Sequence, residues 1–203
     1  MKTLIALAIA ASAFLAAPAL AETNLAYDPA TKQFTNGQDV SRGGGKYYRS
    51  DKSPIRRQTV RYDSGYGAGT IVVNTTERRL YYTLGNGKAI KYGVGVGRDG
   101  FTWSGSHKVT RKAEWPGWTP PATMIRREAA KGRKLPAFMP GGPNNPLGAR
   151  ALYIGSTIYR IHGTNQPWTI GQAMSSGCIR MANEDVQHLY AQAGIGTRVV
   201  VVR

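Results

Sequence analysis

The only thiol of this 203-residue chain, Cys178, stands in Met174-Ser175-Ser176-Gly177-Cys178-Ile179-Arg180-Met181. A free Cys is often no more than a small buried hydrophobe. Here its flanks favour a nucleophile, since Gly177 lets a substrate approach the backbone and Arg180 adds positive potential that favours thiolate. Sixteen residues upstream, His162 ends the run Tyr159-Arg160-Ile161-His162 and is followed at once by Gly163. An ordinary thiol, with a pKa near about 8.5, is only slightly ionised at neutral pH, and an imidazole partner that forms a thiolate–imidazolium pair raises that fraction. Attack on a carbonyl generates an oxyanion, and the consecutive amides of Gly177 and Cys178 can meet it if the chain turns at Gly177. No carboxylate lies close in sequence to His162, and a backbone carbonyl can do the same orienting job. His107 and His188 lack comparable flanks and read as surface or packing residues. Three separated His and one Cys do not form a ligand cluster, so neither metal nor cofactor is expected.

Such a pair needs a scaffold that holds a strand end against a loop. Short β-rich runs occupy residues 70–74, 79–84 and 89–96, with a turn at Gly85-Asn86-Gly87, and these are hairpin signals. Further strands are expected at 151–154, 158–162 and 197–202. One short helix should open at Thr119-Pro120-Pro121, with Thr119 as N-cap and Pro in the first turn, and close near Gly132. A second should run from about residue 184 to 193, capped by Asn183 and ended by Gly194. Seven of the eleven prolines lie between Trp115 and Pro146, which predicts an ordered, irregular loop placed as a lid over a long substrate. Trp118 and Trp168, from their loop context, are the tryptophans expected to touch substrate, and Asn183 is expected to support the Cys loop. The fold class that follows is mainly β, a sandwich or partly closed barrel with one or two short helices and a Pro-rich, lid-like loop.

Upstream, Lys2 precedes an apolar run from residue 4 to about residue 17, then Pro18-Ala19-Leu20-Ala21 in a small-x-small pattern. Residues 1–21 therefore read as a secretory signal, because an uncleaved anchor needs about 20 uninterrupted apolar residues. Residues 22–68 are polar, contain Gly43-Gly44-Gly45 and sustain no period, so they read as a flexible basic arm. That leaves 69–203 as one folded domain. The chain carries 27 Lys+Arg against 11 Asp+Glu, and a surplus of 12 positive charges falls within 69–203. Such a field attracts polyanions. Nucleic acid is their usual form, but export argues instead for anionic envelope polymers, with the charge as a retention device or merely a solvated surface. One Cys excludes a disulfide scaffold, and four Trp with eleven Tyr fit poorly with a collagen-like or wholly disordered chain.

The blocks His162-Gly163-Thr164-Asn165 with Ile170-Gly171, and Ser175-Ser176-Gly177-Cys178-Ile179-Arg180-Met181-x-Asn183-x-Asp185, resemble the active-site signature of the L,D-transpeptidase (YkuD-type) family. The resemblance spans roughly 69–203 and includes Val94-Gly95-Val96-Gly97 and Asn145-Pro146-Leu147-Gly148-x-Arg150-Ala151-Leu152-Tyr153. It implies that Cys178 attacks the carbonyl of the diamino acid at position three of a peptidoglycan tetrapeptide stem, releasing D-Ala and leaving a thioester. The side-chain amine of a second stem would then form a 3→3 cross-link, and water would leave a shortened stem. It further implies His162 as base, oriented by the main-chain carbonyl of Gly163. Gly177 and Cys178 would be backbone oxyanion donors, and Arg180 would hold donor carboxylates, with Ser176 and Thr164 beside it. Thr102-Trp103-Ser104-Gly105 departs from the Thr-Pro-x-Gly of many relatives, and residues 22–68 do not look like a wall-binding module.

The implied protein is an exported, periplasmic, wall-associated transferase whose partners are peptidoglycan stem peptides, with no nucleic acid and no transmembrane anchor in the mature form. Two rivals stand beside it. In one, the acceptor is an amine of an envelope protein, which would be tethered to the wall by the same acyl chemistry. In the other, the domain is a non-catalytic basic wall-binding protein.

Overall fold

The computed structural model describes residues 52–99 and 101–203, together with the backbone of strands β1 (Leu25–Asp28) and β2 (Gln33–Asn36), which pair antiparallel. The signal expected at 1–21 and much of the arm expected at 22–68 lie outside the described residues. β3 (Gln58–Arg61), β4 (Ile71–Asn74), β5 (Arg79–Gly85) and β6 (Lys88–Gly93) follow, then β7 (Val96–Gly97) and β8 (Gly105–Glu114). After helix α1 (Ala122–Ala129) come β9 (Arg150–Ile154), β10 (Arg160–His162), β11 (Ala173–Ser175), β12 (Ile179–Arg180), helix α2 (Asn183–Gln192) and β13 (Arg198–Val202). Among the described residues the molecule is mainly β with two α-helices, as the sequence led us to expect. The β5–β6 turn places Asn86 and Gly87 at φ of 53° and 64°, the pair of left-handed conformations for which Asn-Gly is the favoured two-residue hairpin.

Nine strands form one sheet in the order β12-β10-β9-β8-β13-β4-β5-β6-β3, and β11 pairs with β7 beside it. The sheet is not closed. It nevertheless curls far enough for the chain beyond β6 to meet the opposite edge, where Gly95 and Arg180 exchange N–H···O bonds of 2.9 and 2.8 Å. Ile71, Val73, Leu80, Tyr92, Leu152, Ile161, Ile179, Val199 and Val201 are buried in the core between the two halves. The intervening Val72 packs on the reverse face with Tyr81, Ala89 and Val202. Covered on both faces, β4 and β13 read as continuous apolar runs without alternation.

Three expectations need correction. Within residues 22–68 no strand was expected, yet β3 extends the sheet along β6, and Tyr62 stacks on Tyr81 with centroids 4.0 Å apart. The isolated apolar residues of this stretch lacked a period because they cover a face made by other strands. β8 was missed although it is the longest of the described strands; Val109 is its single buried residue, and apart from Gly105 and Ala113 the rest is polar or charged. It is held by main-chain bonds to β9 and β13, which leave no mark on side-chain type. Neither helix is capped as expected. Pro121, extended at φ −58° and ψ 142°, is the residue before α1, so Thr119 lies too early; Ala182 precedes α2, which includes Asn183.

Candidate active site

β10 and β12 run parallel, with Ile161 opposite Ile179 and His162 opposite Arg180. Both isoleucines face the core, at 0% and 1% exposure. Because side chains alternate along a strand, His162 and Arg180 share the other face, and Cys178, two residues before Arg180, belongs to that same face. Cys178 is partly exposed, and the main chain of Arg160 on the neighbouring strand hydrogen-bonds its sulfur. The thiol, at the entry to β12, and the imidazole, at the end of β10, therefore lie on one side of the paired strands.

His162 is buried, and its Nδ1 lies 2.6 Å from the carbonyl oxygen of Gly163. A carbonyl can only accept, so Nδ1 carries the proton, and in the neutral ring Nε2 is left as the basic nitrogen. Burial, reinforced by the Arg180 and Arg160 charges, pushes the ring down to about 3, against the main-chain hydrogen bonds of Gly163 and Leu147 that favour its protonated form. Burial likewise pushes the Cys178 thiol up, while Arg160 and Arg180 pull it down. Each shift disfavours the charged form of its own group and so runs against the expected ion pair, because desolvation penalises a charge before substrate arrives.

The loop before Cys178 is clamped from three sides. Ser175 Oγ accepts the Gly177 N–H at 3.1 Å and donates to Cys178 O at 2.6 Å. Trp103 Nε1 donates to Gly177 O at 2.8 Å, and its ring stacks on Tyr159 with centroids 4.7 Å apart. Gly177 sits at φ 107°, and a Cβ there would collide with the Tyr159 ring, so the turn requires glycine. The chain turns as expected, but the Gly177 amide is already donated to Ser175. Ser175, Trp103 and Tyr159 were not singled out as site residues; a hydroxyl three residues before the Cys was the one local signal.

Asn183 supports the other wall of the site. Its Oδ1 accepts the N–H of Ala149 at 2.9 Å and of Thr164 at 3.2 Å, tying α2 to the loop after His162 instead of to the Cys loop. Thr164 is 2% exposed and its hydroxyl accepts the Gln166 N–H, so it faces the scaffold. Arg180, Ser176 and Trp118 line a groove under the Pro-rich segment, together with Arg98, Arg127 and Met174. Trp118 is braced there by paired main-chain bonds to Met139. Trp168, 43% exposed on the short turn Pro167–Thr169, is not part of the groove lining. His188 packs under Tyr92, its Nδ1 2.8 Å from the tyrosine hydroxyl.

Residues 68–201 match the family described as the L,D-transpeptidase catalytic domain, YkuD. The probable L,D-transpeptidase ErfK/SrfK of Escherichia coli strain K12 is 42% identical over 135 residues, which are 65% of this chain and 43% of that protein. The probable L,D-transpeptidase YbiS of the same strain is 45% identical over 134 residues, 64% of this chain and 43% of its own length. The match thus spans less than half of these curated relatives. In fold, an L,D-transpeptidase from Mycobacterium smegmatis is similar with a TM-score of 0.53 and 14% identity, over 66% of this chain and 58% of that one.

Proposed function

This chain belongs to the family of L,D-transpeptidase catalytic domains, and on that premise we propose that it is an exported, cysteine-dependent peptidoglycan transpeptidase. The observation that carries the reading is the parallel β10–β12 pair, which supports a thiol and a Gly163-oriented imidazole acting together. Cys178 Sγ forms a bond to the carbonyl carbon of the third stem residue while its proton passes to His162 Nε2. The Cys178 amide donates to the developing oxyanion; the Gly177 amide, bound to Ser175, serves the shape of the loop. When the intermediate collapses, the carbon–nitrogen bond to D-Ala breaks, and the imidazolium returns the proton to the leaving amine. A second amine attacks the thioester, gives its proton to His162 and regenerates the thiol.

Stem peptides carry carboxylates, and Arg180, Arg98 and Arg127 along one groove are guanidiniums suited to bind them. The positive surplus of residues 69–203 supports retention at an anionic cell wall, and the apolar amino-terminal run supports export. A thiol pushed toward its neutral form by burial fits this role, since the proton is taken only when a carbonyl is in place.

The test is intact-mass measurement after incubation with purified tetrapeptide muropeptides. The protein should gain the mass of a tripeptide acyl group, and a Cys178→Ala variant should gain none. Added amines, from a stem diamino acid or from an envelope protein, then identify the acceptor by which of them discharges the adduct. Full turnover by the alanine variant would overturn the covalent mechanism.

A further inference from the structure

Residues 52–61 precede the stretch that matches the family, yet they reach the elements behind the catalytic pair. Ser53, Ile55 and Arg57 turn inward while Lys52, Pro54 and Arg56 face solvent, as an extended segment lying on a surface does. Ile55 fills a notch floored by two glycines: a Cβ added to Gly93 or Gly171 would collide with its side chain. Two residues on, Arg57 Nη1 lies 3.2 Å from Asp185 Oδ1 and 3.5 Å from Glu184 O, and the Ser53 N–H donates to Glu184 Oε1 at 3.3 Å. Asp185 is 2% exposed, and its second carboxylate oxygen has no hydrogen-bond partner. Burial, with the neighbouring Glu184 charge, pushes this carboxyl up, and Arg57 is the cation that pulls it back.

Asp185 belongs to the first turn of α2, two residues after Asn183. That turn is bonded on both sides of the imidazole, because Asn183 Oδ1 takes the Thr164 N–H and the preceding Met181 N–H donates to His162 O at 2.8 Å. We propose that Arg57 is a positioning residue for the reaction: by pinning the first turn of α2 through Asp185, it holds the His162–Gly163 peptide, and with it the ring, facing Cys178. This rests on the cysteine–imidazole reading above and adds to it a strap from outside the matched domain. A strap serving stability alone would have no reason to act on turnover more than on substrate affinity, and the two roles separate experimentally.

Full-length Arg57→Ala, Arg57→Lys and the double variant Arg57→Ala/Asp185→Asn are compared with the parent on a tetrapeptide muropeptide. Amide exchange at Thr164 and Ala149 is measured alongside. Arg57→Ala should lower kcat about tenfold with KM within about twofold, because the ring is misplaced while the groove is untouched. It should also speed Thr164 and Ala149 exchange about tenfold. Arg57→Lys should recover most of kcat, and so should the double variant, in which no buried carboxylate is left without a cation. Unchanged kcat and exchange, a loss confined to KM, or equal loss in all three variants would overturn the proposal. Turnover by Cys178→Ala would overturn the underlying mechanism instead, whereas the exchange measurement needs no turnover and still reports on the strap.

Discussion

At the scale of single residues, the proposed chemistry rests on two groups whose charged forms burial disfavours. The ordinary route to a reactive cysteine is a standing ion pair, but His162 is pushed down to about 3 and Cys178 is pushed up. Alkylation of Cys178 by iodoacetamide, followed by mass, should therefore keep climbing through pH 9 with no plateau around neutrality. A plateau between about pH 5 and 8 would reveal a resting thiolate–imidazolium pair. Both residues stand out in the sequence because a lone thiol with a Gly before it and a His with a Gly after it are rare and local. The Gly163 carbonyl entered as an implication of the family resemblance, and His162 Nδ1 lies 2.6 Å from that oxygen. Burial was invisible: nothing in Ile161-His162-Gly163 tells how much of the chain will cover the ring.

At the scale of elements, the Cys loop is shaped by neighbours distant in sequence. The segment entering β8 brings Trp103 against Gly177, and the turn before β10 brings Tyr159 under both. Trp103→Phe keeps an aromatic plate on Tyr159 and removes the N–H donor. It should cost about 1 kcal/mol in stability and, through a loosened loop, lower the acylation rate about tenfold. Chemical denaturation and a stopped-time mass assay check the two effects, and an unchanged acylation rate would mean that stacking alone shapes the loop. The β5–β6 hairpin was legible because Asn86-Gly87 has a local conformational reason. β8 was not, since a strand whose side chains mostly face solvent is specified by its partners' main chains. The helix starts were misjudged for a related reason: Asn183, read as a cap, spends its oxygen on Ala149 and Thr164 instead.

For the whole molecule, stability and site are coupled through the proton. The His162 ring is held far below its ordinary 6.5 in the fold. The unfolded chain therefore takes up a proton at pH values where the folded one does not. Its contribution is full above about pH 6.5 and is lost as pH falls toward 3, by about 1.4 kcal/mol per unit. Asp185, raised to about 6 from 3.8, acts in the opposite sense, contributing fully below 3.8 and losing its effect as pH rises to 6. Urea melts of the parent and of His162→Gln, repeated from pH 6.5 to 4, should show the parent losing stability relative to the variant at about that slope. Parallel curves would mean that the ring is protonated in the fold. From residue types and spacing alone came the β-rich class, the thiol and the imidazole, because each has a local cause in strand pattern, turn chemistry or flanking residues; the carbonyl partner of the ring came from the family resemblance. Which amides remain free, which tryptophan reaches the groove, and how a segment before residue 68 comes to brace the far side of the site were settled by packing. The last of these depends on contacts between residues a hundred or more positions apart, and such distances leave no periodic trace along the chain.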